Sequence, residues 1–307
     1  MRSHDASLVQ PLIATRQPAS QGESLVVWAV WGLVLAAIAV TYSRLDPAVL
    51  YHVSRHGLAN GLGRVLVESN FSLSLVAIAI ALIALDGLPR RAWLAGAPAI
   101  VLCAVTACPG VVDQGDLDVR LVNAVPAIGV GMALVLTVLG ARVRGMRFAR
   151  RRPLDLARIT IAAVVVALSI PWIVAELGFS LPDGLFLMRR VAVQPNGTLL
   201  PAVHLGHHHG LDGALLVLSA LLLSRVRAKG QRLGVVLSLY LALMLAYGAM
   251  NLANDFWDEQ VVKRGWIAWK IPDALQPSLG PVWLVTLALG ACVAVCLLRE
   301  RSDREAL

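Results

Sequence analysis

Residues 72–85 read SLSLVAIAIALIAL, without one charged side chain, and comparable apolar runs recur along the whole chain of 307 residues. A helix needs about 20 predominantly apolar residues to cross a hydrocarbon core roughly 30 Å thick. Eight segments approach that length, near residues 24–42, 69–86, 92–110, 121–141, 156–177, 202–225, 232–252 and 279–298. They predict an all-α polytopic membrane protein of about eight transmembrane helices. A single membrane domain over 23–298 is expected between two cytoplasmic tails, a flexible one at 1–22 and a second at 299–307. Composition agrees: 58% hydrophobic and 15% charged residues, with a mean hydropathy of +0.72, exclude an ordinary soluble domain.

The charges sort by connection. The short links at 86–91, 142–158 and 225–232, together with both tails, hold 18 of the 27 Arg and Lys. The positive-inside rule then predicts both termini on the cytoplasmic side. The run Arg150-Arg151-Arg152 is expected to meet anionic headgroups. The net charge of +8 is explained by this retention, so no nucleic-acid partner is expected. Lysine occurs only at 229, 263 and 270, and this arginine bias in an Ala/Leu/Val-rich chain suggests a GC-rich bacterial genome and a plasma-membrane location. The four cysteines form no CxxC pair and read as small buried hydrophobes.

On the expected outer face stand six of the seven histidines and 12 of the 19 acids. Positive-inside sorting accounts for part of the acid excess but not for the histidines. The densest stretch is VHLGHHHGLDG, residues 203–213. Pro201 suits the first turn of a helix, and a continuous helix from it would set His204, His208 and Asp212 at i, i+4 and i+8 on one face, with His207 at its edge. Such a set would offer part of a coordination shell for a divalent transition metal, Zn²⁺ or iron. Gly206 and Gly210 also allow a broken or late-starting helix.

In LDPAVLYHVSRHGL, Asp46 suits an N-cap and Pro47 the position after it, predicting a short helix over 47–56. His52 and His56 would be i, i+4 neighbours there, completing the shell or merely favoured by the helix C-terminus. The stretch NLANDFWDEQ carries Asn251, Asp255, Asp258 and Glu259 as further ligands, outer acceptors or a solvated helix end. Glu68 and Glu176 lie at predicted span ends, where an ionisable group is either paired or functional.

These residues predict a multi-pass membrane metalloprotein with its site at the non-cytoplasmic face, formed by His204, His207, His208, Asp212, His52 and His56. Glu68, Glu176 or Asp255 would act as base in hydrolysis or transfer on a lipid or lipid-linked substrate. The alternatives are a transporter or permease for a metal ion or small solute, and a non-catalytic membrane subunit. A transporter needs polar groups continuing down the bundle, and the spans offer few.

Overall fold

The computed structural model describes residues 21–305 except 114, 194–196, 198, 276 and 279. Nearly all of the expected N-terminal tail, and the last two residues of the C-terminal one, lie outside the described residues. The chain is 67% helical. Its helices are α1 (Gly22–Arg44), α2 (Gly57–Glu68), α3 (Ser72–Leu85), α4 (Trp93–Ala104), α5 (Ala124–Arg144), α6 (Asp155–Leu168), α7 (Ile170–Glu176), α8 (His209–Leu223), α9 (Gln231–Trp257) and α10 (Pro281–Glu305). Strands β1 (Val191–Val193) and β2 (Leu199–Pro201) pair antiparallel, with Val191 opposite Pro201.

Four helical segments are long and apolar enough to cross a membrane: Gly22–Arg44, Leu121–Arg144, Gln231–Val262 and Pro281–Ser302. The number rises to six if each of two bent pairs, α2 with α3 and α6 with α7, is one span. Segments 92–110 and 202–225 contain shorter helices than expected. Helix α4 passes into a tight 3₁₀ turn at Val105, and α8 begins only at His209.

Helices apolar on every side belong inside a bundle. In α3 every residue except Leu75 is buried, and in α8 every residue except His209, Leu218 and Leu222. The remaining helices surround this central pair. Indole Nε1–H of Trp31 on α1 donates to Ser219 Oγ on α8 at 3.2 Å, across a buried contact. Outward, the surrounding helices show Leu33, Leu156, Ile159 and Leu284, each more than 60% exposed. Such surfaces suit contact with lipid tails, since each helix satisfies its own backbone.

Helix α2 is patterned inside out. Leu58, Leu62 and Leu66 face outward, whereas Asn60, Arg64 and Glu68 face inward and are buried. The chain then bends by 50° into α3, leaving Glu68 at the break. Helix α6 likewise gives way to α7 with a 58° bend. Pro171, second in α7, has no N–H to donate and its ring crowds the preceding turn, which breaks the ladder there. The bend directs Glu176 toward α8.

The links rich in arginine meet at one end of the bundle. Arg158 reaches Glu300 at 2.6 Å and Asp155 at 3.1 Å, and Arg225 reaches Asp155 at 3.3 Å. Arg144 donates to the Ala84 carbonyl, and the Lys229 N–H to Asp86. The described histidines and most of the described acids gather at the opposite end.

Candidate functional site

A continuous helix from Pro201 does not form. Pairing of β2 with β1 keeps residues 199–201 extended, and Gly206 turns the chain at φ +99°. A Cβ at that glycine would meet the Tyr42 hydroxyl at 2.6 Å. Helix α8 therefore starts late, with His208 as its extended N-cap. The i, i+4, i+8 arrangement of His204, His208 and Asp212 is lost, and the neighbouring residues His207 and His208 enter two different clusters.

The first cluster surrounds His207. Its backbone N–H donates to the Tyr42 hydroxyl at 2.9 Å. Its Nδ1 lies 2.9 Å from Glu176 Oε2 in hydrogen-bond geometry. Its Nε2 lies 3.0 Å from Asp212 Oδ1 and 3.3 Å from Glu68 Oε2. Neither Nε2 nor Asp212 Oδ1 makes a hydrogen bond among the described residues, although both atoms are buried. All four side chains are at most 6% exposed. Arg64 approaches Glu68 at 3.8 Å and lies over the Tyr42 ring. Three carboxylates thus face one guanidinium and one imidazole, so with every carboxylate ionised the cluster would have an excess of negative charge, which protons or a metal cation would offset.

The second cluster joins His208, Asp255 and Glu259. His208 Nδ1 is 3.5 Å from Glu259 Oε1 and 3.9 Å from Asp255 Oδ2, while Nε2 lies 2.9 Å from the His204 carbonyl. Asp255 accepts the Gly210 N–H at 2.8 Å, and Glu259 the Trp172 indole N–H at 2.7 Å. His209 Nε2 stands 3.2 Å from Asp255. Here a cation is already in place, since Lys263 Nζ sits 3.6 Å from Glu259. A π-helical turn at Asp258–Val262 ends α9 beside this cluster.

In each of the triads Glu68–His207–Asp212 and His208–Asp255–Glu259, one ligand atom per residue lies within 4.8 Å of the others, so each triad could hold a metal ion. Two ligands at about 2.1 Å from a tetrahedral ion stand roughly 3.4 Å apart, and His207 Nε2 is already near that spacing from both Asp212 and Glu68. The chain matches no protein-family model, no curated protein and no solved structure. Its chemistry is therefore read from these side chains alone.

The cages set opposite proton affinities on adjacent histidines. Burial disfavours a charged His207, but Glu68, Asp212 and Glu176 outweigh it and hold the imidazole well above the usual histidine range. Burial pushes His208 down to about 4, with Asp255 acting against it. Burial, followed by its neighbour His208, holds His204 well below the usual range.

Among the other residues expected at the site, His204 lies outside both triads, in a ring stack with Tyr51 at 4.8 Å and His208 at 4.0 Å. His52 and His56 also lie outside both. Asp46 does cap Pro47, accepting the Ala48 N–H at 2.9 Å, but only a 3₁₀ turn at Pro47–Val49 follows, so no HxxxH spacing forms. His52 has a left-handed backbone, φ 49°, with its ring against Tyr51, and exposed His56 precedes α2 as its N-cap. Of the three expected bases, Glu68 and Glu176 flank His207, while Asp255 belongs to the second triad. Tyr42, Trp172 and Arg64 also belong to the two clusters. A polar stripe Asn60–Arg64–Glu68 at i, i+4, i+8 in an otherwise apolar segment is the signal that marks α2 as a site wall.

Proposed function

We propose that this chain is a multi-pass membrane metalloprotein whose Glu68, His207 and Asp212 hold a divalent transition metal, Zn²⁺ or iron, and which acts as a hydrolase or transferase on a lipid or lipid-linked substrate. The observation that carries this reading is the division of labour on His207. One ring nitrogen is engaged by Glu176, and the other faces two carboxylates outside hydrogen-bond geometry. Metal-binding histidines characteristically use one nitrogen on the ion and give the other N–H to a carboxylate or carbonyl, which fixes tautomer and ring orientation.

In this reading Glu176 is the orienting group, not a base. Glu68 is a ligand, which leaves Asp255 in the adjoining triad as the acid–base group among the three. When bound, the metal supplies Lewis acidity and a water activated near neutral pH. Arg64, buried beside Glu68, suits an anionic headgroup or the negative charge that develops during transfer.

The proposal includes α4 and α8 as short passes that bring the total to eight, with both termini cytoplasmic and both triads at the outer leaflet of a bacterial plasma membrane. Burial of α8 by its neighbours supports a short pass, because it need not match the bilayer thickness itself. Transport of the ion is less well supported. The one hydroxyl on α8 below Asp212 is Ser219, and it is occupied by Trp31.

Metal analysis of protein purified without chelators tests this function. About one Zn or Fe per chain is expected in wild type, none after His207→Ala, and an affinity roughly 10–100-fold weaker after Glu176→Gln. Wild-type protein that neither carries nor takes up metal would overturn it.

A further inference from the structure

A cavity of about 540 Å³ lies between α3, α9, the start of α10 and the turn that follows α4. That volume falls inside the range of roughly 300–1,000 Å³ found for small-molecule sites. Its walls are mainly Phe71, Leu75, Leu243, Met244, Tyr247 and Trp283.

The polar atoms of the lining are mostly spent. Tyr240 donates its hydroxyl proton to the Leu75 carbonyl at 2.8 Å, and Tyr247 to the Leu275 carbonyl at 3.2 Å. Thr106 Oγ1 is the lining hydroxyl without a partner among the described residues. A ligand here therefore meets hydrocarbon and aromatic faces, with one hydroxyl to spare. Water is a poor occupant, since a bound water needs two to four polar partners.

A short chain of contacts links the cavity to the first triad. Phe71 follows Glu68 across the α2–α3 break and meets Tyr247 edge-on at 6.1 Å. One turn beyond Tyr247, Asn251 donates to the Tyr247 carbonyl and packs where Gly213, the residue after Asp212, touches α9.

We propose that this cavity binds the hydrocarbon chain of the lipid whose headgroup is processed at Glu68, His207 and Asp212, an inference that rests on the function proposed above. The Phe71–Tyr247 pair separates the chain from the metal ligands. Cavity length and girth, rather than hydrogen bonding, select the substrate. An acyl chain and an isoprenoid chain share this chemistry, and competition between them identifies the source.

The full-length protein, purified in detergent, is incubated with a lipid carrying a mid-chain diazirine and irradiated, and adducts are mapped by peptide mass spectrometry. Adducts are expected on the peptides containing Met244, Tyr247 and Trp283, and either unlabelled acyl lipid or unlabelled polyprenyl phosphate suppresses them. Met244→Trp, which fills the cavity, abolishes these adducts and leaves metal content unchanged.

Cys108 gives a second readout that needs no variant. Against the expectation of buried cysteines, which holds for Cys103, it lines the cavity and is exposed, as are Cys292 and Cys296 on α10. At a lipid concentration about ten times its Kd, alkylation of Cys108 slows about tenfold while the two α10 thiols react as before. Adducts spread evenly over the outer faces of the bundle, or equal protection of all three thiols, overturn the inference even where metal is bound. Metal content is measured on the same samples, so failure of the metal site is read separately.

Discussion

His207 and His208 are adjacent in sequence and opposite in proton affinity, and the sign of each shift gives a testable pH dependence. The usual histidine pKa is about 6.5. His207 is held above it by Glu68, Asp212 and Glu176, so in metal-free protein its stabilisation is complete below about 6.5 and is lost as pH rises through its raised value. A metal held at Nε2, as proposed, would take the place of that proton. Zn²⁺ should therefore raise the thermal midpoint more at pH 8.5 than at pH 6, as measured by unfolding in detergent with and without chelator. An equal or larger gain at pH 6 would sink the shared use of Nε2. His208 contributes with the other sign. Burial holds it near 4, so stability declines as pH falls from about 6.5 to about 4 because the unfolded chain takes up the proton first. His208→Gln should flatten that acid limb, while a limb of unchanged slope would assign it to other groups.

At the scale of elements, the site depends on how closely α8 and α9 approach. A Cβ on Gly213 would stand 2.5 Å from the Gly248 carbonyl oxygen and 2.6 Å from the Leu252 nitrogen, and one on Gly248 only 2.7 Å from the Gly213 oxygen. Small residues at such a crossing let two backbones meet. Gly213→Ala should force the helices apart and cost about 1–3 kcal/mol, seen as a lower thermal midpoint. Because Asp212 lies on α8 beside that contact, metal affinity should fall as well. Full stability with Gly213→Ala would show that the crossing is looser than described. The same scale explains why helical periodicity does not group the histidines as the structure does. Helical periodicity from Pro201 is a local expectation, whereas the helix start was set by pairing of β2 with β1 and by Gly206 against Tyr42, both non-local. Glu68 and Glu176 reach His207 only through the bends at α2–α3 and α6–α7.

For the whole molecule, the arginine-rich links and the histidine clusters occupy opposite ends of one bundle. Contacts such as Arg158–Glu300 and Lys229–Asp86 tie α6 to α10, and the residue after α3 to the link before α9, at the first of these ends. If positive-inside sorting holds, a reporter fused after Leu307 should be active only as a cytoplasmic protein, and impermeant maleimide should reach Cys108 from outside intact cells. Labelling of Cys108 only after the membrane is opened would reverse the orientation and place both triads inside.

The sequence alone carries the helical class and several segments long and apolar enough to cross a membrane, because long uncharged apolar runs have few other stable solutions in water or lipid. It also determined which polar residues were out of place in that setting, including His207, His208, Asp212, Glu68, Glu176 and Asp255. Tertiary structure decided how those residues group. It divided the histidine run between two cages, set His52 and His56 apart from both, left His204 stacked on His208 outside the triads, and brought in Arg64 and Tyr42 from α2 and α1. Apolarity is a property of each segment and can be read residue by residue. A coordination set depends on distances between segments, and here those distances were fixed by bends, a hairpin and a glycine crossing.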